Sequence, residues 1–396
     1  MMRWLKSAAV VAGAWAATGC LGDSTGPPLP PADTVAFASY DLGAFHACGL
    51  TAAGRAYCWG ANGVAQLGTG TFDDEAVPRP VAQGSAVYRQ ISLGGGHTCA
   101  VLSTQVAHCW GLNDRGQLGQ GTQSLPVGQP TRVGAGKLFT FIAAGGAHTC
   151  GLDPAGFAWC WGLAESGRLG NGVSGVEITR PTPDSVMFGE PFATLTAGND
   201  HTCGLTPDGR AYCWGSGALG QLGIGVAENR DVPVLVLGGH VFAQLAAGGL
   251  HTCGVTLDGE GYCWGDHASG QLGVGSGGPR DAPALVAGGL AFRSIRAGGS
   301  HSCGVTLGNL AYCWGLNDSG QLGDGTSMIR NTPSAVSGSL LFQSVVPALG
   351  PFTTGSCGRT SGGVMYCWGY GLDGLIGNGA FTSVAVPTRV IGQLGP

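Results

Sequence analysis

The sequence predicts an all-β fold, a seven-bladed β-propeller of four-stranded antiparallel blades. Three observations carry that expectation. A unit of about fifty residues occurs seven times, and repeats of that period usually build a propeller or an array. Each unit holds four short apolar runs bounded by glycine and proline, which is the strand content of one blade and leaves little room for helix. Each unit also holds two cysteines ten residues apart, the second followed by Trp-Gly, so all seven copies share one register.

Residues 1–19 read as a lipoprotein-type export signal. Arg3 and Lys6 precede the apolar run Ala8 to Ala17, which is too short to span a bilayer. The end, Ala17-Thr18-Gly19-Cys20, resembles a bacterial lipobox, with Ala17 where leucine is commonest. Cys20 is the one cysteine of fifteen without a partner in the repeats, and it is the expected lipidation site. Residues 20–34 form a proline-rich tether, expected to space the folded part off a membrane surface. The propeller is expected over residues 35–396.

Within a unit, a Phe-x-x-Leu type run such as Phe242 to Leu245 makes the first strand, and a stapled hairpin follows. In the fourth copy that hairpin runs from His201 to Gly215 about the turn Pro207-Asp208-Gly209. Folding about Asp208 sets Cys203 opposite Cys213, Gly204 opposite Tyr212 and Leu205 opposite Ala211. Opposed residues lie close enough for a disulfide after a modest local adjustment. The same reading pairs Cys48 with Cys58, Cys99 with Cys109, Cys150 with Cys160, Cys253 with Cys263, Cys303 with Cys313 and Cys357 with Cys367. Six copies place glycine opposite an aromatic residue (in the other, Ala100 faces His108), and a ring over a bare glycine is expected to pin the register. A Pro-x-x-Val strand such as Pro283 to Val286 ends the unit. The last of these, Pro387 to Val390, is expected to complete the blade begun by Val35 to Tyr40, so that the C-terminal strand closes the ring and hides an edge.

Composition narrows the function. Charged residues make up only 10% against an ordinary ~25%, while 44% are hydrophobic, so the chain packs rather than staying disordered. The net charge of −5 becomes more negative once Arg3 and Lys6 leave with the signal, which gives no footprint for nucleic acid. Paired cysteines at this density imply an oxidising compartment.

The blocks His-x-Cys-Gly-Leu, Tyr-Cys-Trp-Gly and Gly-Gln-Leu-Gly-x-Gly, the last seen at Gly116–Gly121, Gly220–Gly225, Gly270–Gly275 and Gly320–Gly325, recur in order. With these blocks the chain resembles the regulator of chromosome condensation repeat family over about residues 36–395, which implies a seven-bladed propeller. The paired cysteines resemble those of exported bacterial members. Copy three departs with Arg168 for glutamine, and copy seven with Gly374-Leu375-Ile376-Gly377. The resemblance implies two alternatives: guanine-nucleotide exchange on a small GTPase, disfavoured by export, and an enzyme-inhibitor-like binder, since a secreted member inhibits β-lactamases.

His201, Cys203 and Cys213 could supply three zinc ligands. Copy seven has Gly355 in the histidine position and keeps Cys357 and Cys367, so the cysteines work as a pair without it. The six histidines His46, His97, His148, His201, His251 and His301 are therefore read as structural, bonding backbone between strands. The tryptophans are read as packing between blades. Asn/Asp/Gly stretches such as Leu112 to Arg115 lack the ligand spacing of a calcium loop, and Asp73-Asp74-Glu75 reads as a solvated loop. No hydrolase, metalloprotease or phosphate-loop motif appears, so neither a catalytic site nor a cofactor is expected.

Everything repeated is structural, which leaves the variable loops for recognition. One set follows Trp-Gly, from Ala61–Val64 through Leu112–Arg115 to Tyr370–Asp373; a second, including Thr71–Val77 and Val173–Arg180, precedes the Pro-x-x-Val strand. The first set is expected to bind, with Asn113, Arg115, Glu165, His267 and Tyr370 as contact residues. The expected function is a non-catalytic, protein-binding scaffold, exported and lipid-anchored at the bacterial cell envelope, monomeric, touching the membrane only through its anchor.

Overall fold

A computed structural model describes residues 35–134, 136–350 and 354–393. The expected signal and tether, with Cys20, lie outside the described residues. Seven four-stranded antiparallel sheets follow one another along the chain, each built from four consecutive strands. In the fourth blade these are Thr194–Ala197, His201–Leu205, Ala211–Gly215 and Arg230–Leu235. The one helical turn among the described residues is a 3-10 turn at Glu165–Gly167. First strands of neighbouring blades approach one another and line a central cavity of about 300 Å³.

The hairpin register is the one the turn chemistry predicts. Cys203 pairs with Cys213, Gly204 with Tyr212 and Leu205 with Ala211. All seven cysteine pairs are bonded within their own hairpins, with Cα atoms 4.0–4.1 Å apart. One detail differs: the ring that fills the space beside the glycine is a phenylalanine at or just ahead of the first strand. A Cβ on Gly204 would lie 2.5 Å from Phe192 Cδ1, whereas Tyr212 stays half-exposed across the pair. The phenylalanine is the more apolar ring and takes the buried side.

Neighbouring blades are joined by a clamp made from the repeated blocks. The histidine of one blade meets a hydroxyl of the next: His46 with Thr98, His97 with Thr149, His148 with Thr202, His201 with Thr252, His251 with Ser302 and His301 with Ser356, each at 2.8 Å. Each hydroxyl donates its own proton to a backbone carbonyl of the histidine's blade, such as Gln66 or Gln117, at 2.8–3.0 Å. A hydroxyl has one proton to give, so the histidine Nε2–H must donate, which fixes the tautomer. The expected backbone partners between strands are thus corrected to side-chain hydroxyls. These histidines bond side chains across blades.

The carbonyl of Gln66 also accepts Trp110 Nε1 of the next blade at 3.0 Å, and the equivalent bonds recur at Gln117, Arg168, Gln271 and Gln321. The tryptophans are fully buried in clusters shared with the preceding blade. Close packing explains the glycine that follows Gln-Leu. Gly119 has φ +70°, and a Cβ there would lie 2.7 Å from Trp161 Nε1.

The junction between the last and first blades is different. Gly355 stands where the histidine should be, and Ala47 where its hydroxyl partner should be, so both halves of the clamp are missing together. Other contacts replace them. Tyr40, at a position where other blades carry an aliphatic residue, donates its hydroxyl toward the carbonyls of Ser344 (3.0 Å) and Cys357 (3.2 Å). Trp59 Nε1 reaches Leu375 O at 2.9 Å.

Ring closure itself is corrected in one respect. The C-terminal strand Val384–Arg389 is the fourth strand of the seventh blade, and the first blade has its own fourth strand, Glu75–Pro80. The unit starts and stops in phase with the blade, so no strand is left to lend. The ends meet instead through a parallel bridge between Val35 and Gln393 and a shared apolar cluster containing Val35, Phe37, Trp59, Leu375 and Val390.

Thr202→Val should strand the His148 proton and leave the Arg168 carbonyl one donor short. The expected loss is about 1–3 kcal/mol, read from the urea midpoint. An unchanged midpoint would mean that the clamp contributes nothing.

Candidate functional site

The central cavity is lined by stitches between first strands. Asp41 accepts the Leu93 N–H at 2.9 Å, Ser92 accepts Ala144 N–H at 3.1 Å, and Thr196 accepts Ala247 N–H at 3.0 Å. Burial pushes the Asp41 carboxyl up to about 6, opposed by that backbone bond and by Arg296. Burial likewise pushes the Tyr40 hydroxyl upward. The six clamp histidines are buried too, and desolvation lowers five of them to about 3–4 and His148 well below its ordinary value. Their job is to stay neutral and donate.

Strand direction sorts the connections onto two rims. First-to-second turns and third-to-fourth loops lie on one, here the loop rim; second-to-third turns and the links between blades lie on the other, the turn rim. The two loop sets expected to compete are two limbs of one connection. In the third blade Ala164 N–H of the first limb bonds Ile178 O of the second at 2.7 Å. In the first blade Asn62 N–H bonds Asp74 at 2.7 Å. Both limbs therefore present a single surface.

Two expected contact residues are not on that surface. Asn113 is fully buried: its Oδ1 accepts Leu118 N–H at 3.1 Å and its Nδ2 donates to Thr122 O at 3.0 Å. His267 is also buried and does the same work, donating from Nε2 to Gly275 O at 2.9 Å and facing Leu272 N–H with Nδ1. Asn62 and Asn317 repeat the pattern. In four of the seven blades the position three residues after the tryptophan is a loop latch, so Asn113 and His267 are corrected from binding to structural residues. Recurrence of asparagine at that offset was the signal available in the sequence.

Arg115 and Glu165 do come together. They share the walls of a cavity of about 480 Å³ with Arg168, Asn199 and Asp200, between the second, third and fourth blades. Arg115 pairs with Glu177 of the third blade's second limb, and that bond raises its already high pKa. Arg168, read from the sequence only as a departure from the repeat, joins them. The clamp uses only its backbone carbonyl, which frees the side chain to bond Asp200 at 2.6 Å and Glu165 O at 2.8 Å. Burial lowers the Arg168 pKa, and the two acids oppose that shift. Ser166 (φ 60°) and Glu177 (φ 62°) both hold the left-handed conformation that non-glycine residues seldom adopt. Tyr370 sits elsewhere, on a groove of about 570 Å³ with Asp318, Thr326 and Leu372.

Charge is divided unevenly between the rims. Loop-rim connections carry eleven acidic side chains against Arg115 and Arg168, from Asp73 and Asp74 in the first blade to Asp373 in the last, with Arg180, Arg230, Arg280 and Arg330 on adjoining strand ends. Turn-rim connections carry five acids against Arg55, Lys137 and Arg210, with further arginines on adjoining strand ends.

Asn113→Ala should cost about 1–3 kcal/mol by orphaning Leu118 N–H and Thr122 O. Arg115→Ala should leave the denaturation midpoint in place, because it breaks only an exposed ion pair. Equal losses from both would contradict the latch.

The RCC1-like domain profile matches residues 89–394, and the regulator of chromosome condensation (RCC1) repeat matches residues 53–101 and 39–66. Among curated relatives, human probable E3 ubiquitin-protein ligase HERC6 is 29% identical over 194 residues, covering 48% of this chain and 19% of that protein. The Arabidopsis thaliana ultraviolet-B receptor UVR8 is 31% identical over 182 residues, covering 45% of this chain and 41% of that protein. The chain thus spans less than half the length of either relative. Among solved structures, human WBSCR16 gives a TM-score of 0.77 at 22% identity, covering 85% of this chain and 93% of that one. Saccharomyces cerevisiae Prp20p, described with its binding to Gsp1p and histones, gives 0.74 at 23% identity, covering 90% and 87%. The WD40 ectodomain of the Arabidopsis thaliana receptor kinase ACR4 gives 0.54 at 19%, covering 84% and 97%. At these identities the solved structures speak to fold alone. With a profile spanning most of the ring and a repeat that builds every blade, the chain belongs to the RCC1-like domain family.

Proposed function

We propose that the protein is an exported, lipid-anchored scaffold that binds a protein partner through its loop rim. The observation that carries this reading is the merging of both loop limbs into one surface, with Arg115, Glu165, Arg168, Asp200 and Glu177 gathered where the repeat departs from its norm. Side chains used seven times over hold the ring together; these do not. Several adjoining loops can supply the ~800 Å² that a specific interface usually buries on each partner.

Seven disulfides support an oxidising compartment, in line with the export signal read in residues 1–19 and lipidation at Cys20. That compartment separates the ring from an exchange factor acting on a small GTPase. Prp20p, whose fold is similar, binds protein partners, which supports recognition by a propeller surface as such.

The test is affinity capture from cell-envelope extract with three forms of the full chain. One is unaltered, one carries Arg115→Ala, Glu165→Ala, Glu177→Ala and Tyr370→Ala, and one carries Asp208→Ala with Asp258→Ala on the turn rim. A partner held by the unaltered and turn-rim forms and lost from the loop-rim form is the expected result. Retention by the loop-rim form would contradict the reading.

A further inference from the structure

We propose that the turn rim is the membrane-facing side of the ring, docking directly on a bilayer that carries anionic lipid. The inference rests on the tether reading and adds an orientation and a second contact. Strand direction gives the first argument. The first blade's first strand, Phe37–Leu42, runs from the turn rim toward the loop rim, so the chain enters the ring at the turn rim, beside the bridge of Val35 to Gln393. The fourteen residues between Cys20 and Val35 can reach at most roughly 50 Å. That leash brings the turn rim to the membrane first, but alone it would let the ring tumble.

Charge decides between the rims. The loop rim stays strongly acidic even with Arg180, Arg230, Arg280 and Arg330 at its strand ends and would be repelled by an anionic surface. On the turn rim, exposed Arg89, Arg132 and Arg293 at strand ends join three basic residues set against five acids. Apolar side chains stand among them. Leu257 and Leu307, at the second-to-third turns of adjacent blades, are 74% and 59% exposed. The Leu307 carbonyl accepts the exposed Arg293 at 3.4 Å, which sets a leucine beside an arginine. That is the chemistry of an interfacial contact, in which each basic residue adds to the affinity. Leu257, by contrast, adds apolar area next to Asp258 and Glu260. The occupant is therefore a lipid surface. The arrangement turns the acidic loop rim outward, where a partner can reach it.

The test uses the chain freed of residues 1–20, which takes away the expected signal and the anchor together and isolates the ring's own affinity. It is sedimented with vesicles of phosphatidylglycerol and phosphatidylethanolamine, and with phosphatidylcholine alone. Binding to the anionic vesicles, weakened by salt and lowered about tenfold or more by Arg132→Glu with Arg293→Glu, is expected. Arg115→Glu on the loop rim should leave it unchanged. No binding to anionic vesicles, equal loss from Arg115→Glu, or turn-rim changes that alter only self-association in ultracentrifugation would each overturn the proposal. The tether reading is judged separately. If Cys20→Ser leaves the membrane fraction of the chain in cells unchanged while vesicle binding persists, the anchor fails and the docking rim stands.

Discussion

The structure depends on a recurring backbone carbonyl, the one that precedes the leucine of the Gly-Gln-Leu-Gly block, which takes its full set of partners at five of the seven junctions. It accepts a hydroxyl and an indole N–H from the next blade, and the hydroxyl in turn receives a histidine proton. Magnitudes assign the roles. A buried tryptophan removes about 150–250 Å² from water, roughly 4–6 kcal/mol at about 25 cal/mol per Å². Each hydrogen bond adds only about 1 kcal/mol net. Indole burial therefore drives blade against blade, and the polar clamp fixes where each indole sits. Disulfides act on a different level, tightening each hairpin by about 2–3 kcal/mol on the chain-entropy account.

Local, repeated chemistry was legible. Turn residues and the ten-residue spacing set the hairpin register, and the Trp-Gly positions foretold packing between blades. What escaped were relations across blades. The burial of Asn113 and His267 follows from a loop folding back on itself, which a charge-and-variety reading of loops does not see. Ala47 and Gly355 are far apart in sequence and make sense only as the two lost halves of one junction. The closing strand differs because each Pro-x-x-Val strand pairs with the third strand of its own blade, as Glu75–Pro80 does with Ala56–Gly60, and none precedes the first strand in its sheet.

Reliance on a carbonyl rather than a side chain also explains how a site can arise in so regular a ring. Any residue at the glutamine position keeps the clamp, so Arg168 can hold Thr202 and Trp214 with its backbone while its guanidinium pairs with Asp200. The seam shows the same freedom in reverse, since Leu375 still receives Trp59 after histidine and hydroxyl are gone. Recognition chemistry can thus change on the loop rim without disturbing the packing beneath it.

The clamp is tested most directly by nitrogen-15 NMR of the histidine side chains across pH. The account predicts that His46, His97, His148, His201, His251 and His301 remain neutral, with the proton on Nε2, from pH 7 down to pH 5, because desolvation holds them far below the ordinary histidine value of about 6.5. Below pH 6.5 the unfolded chain takes up protons that the folded ring refuses, so stability falls with pH while these signals stay fixed. Six histidines titrating near 6.5, or carrying the proton on Nδ1, would contradict it.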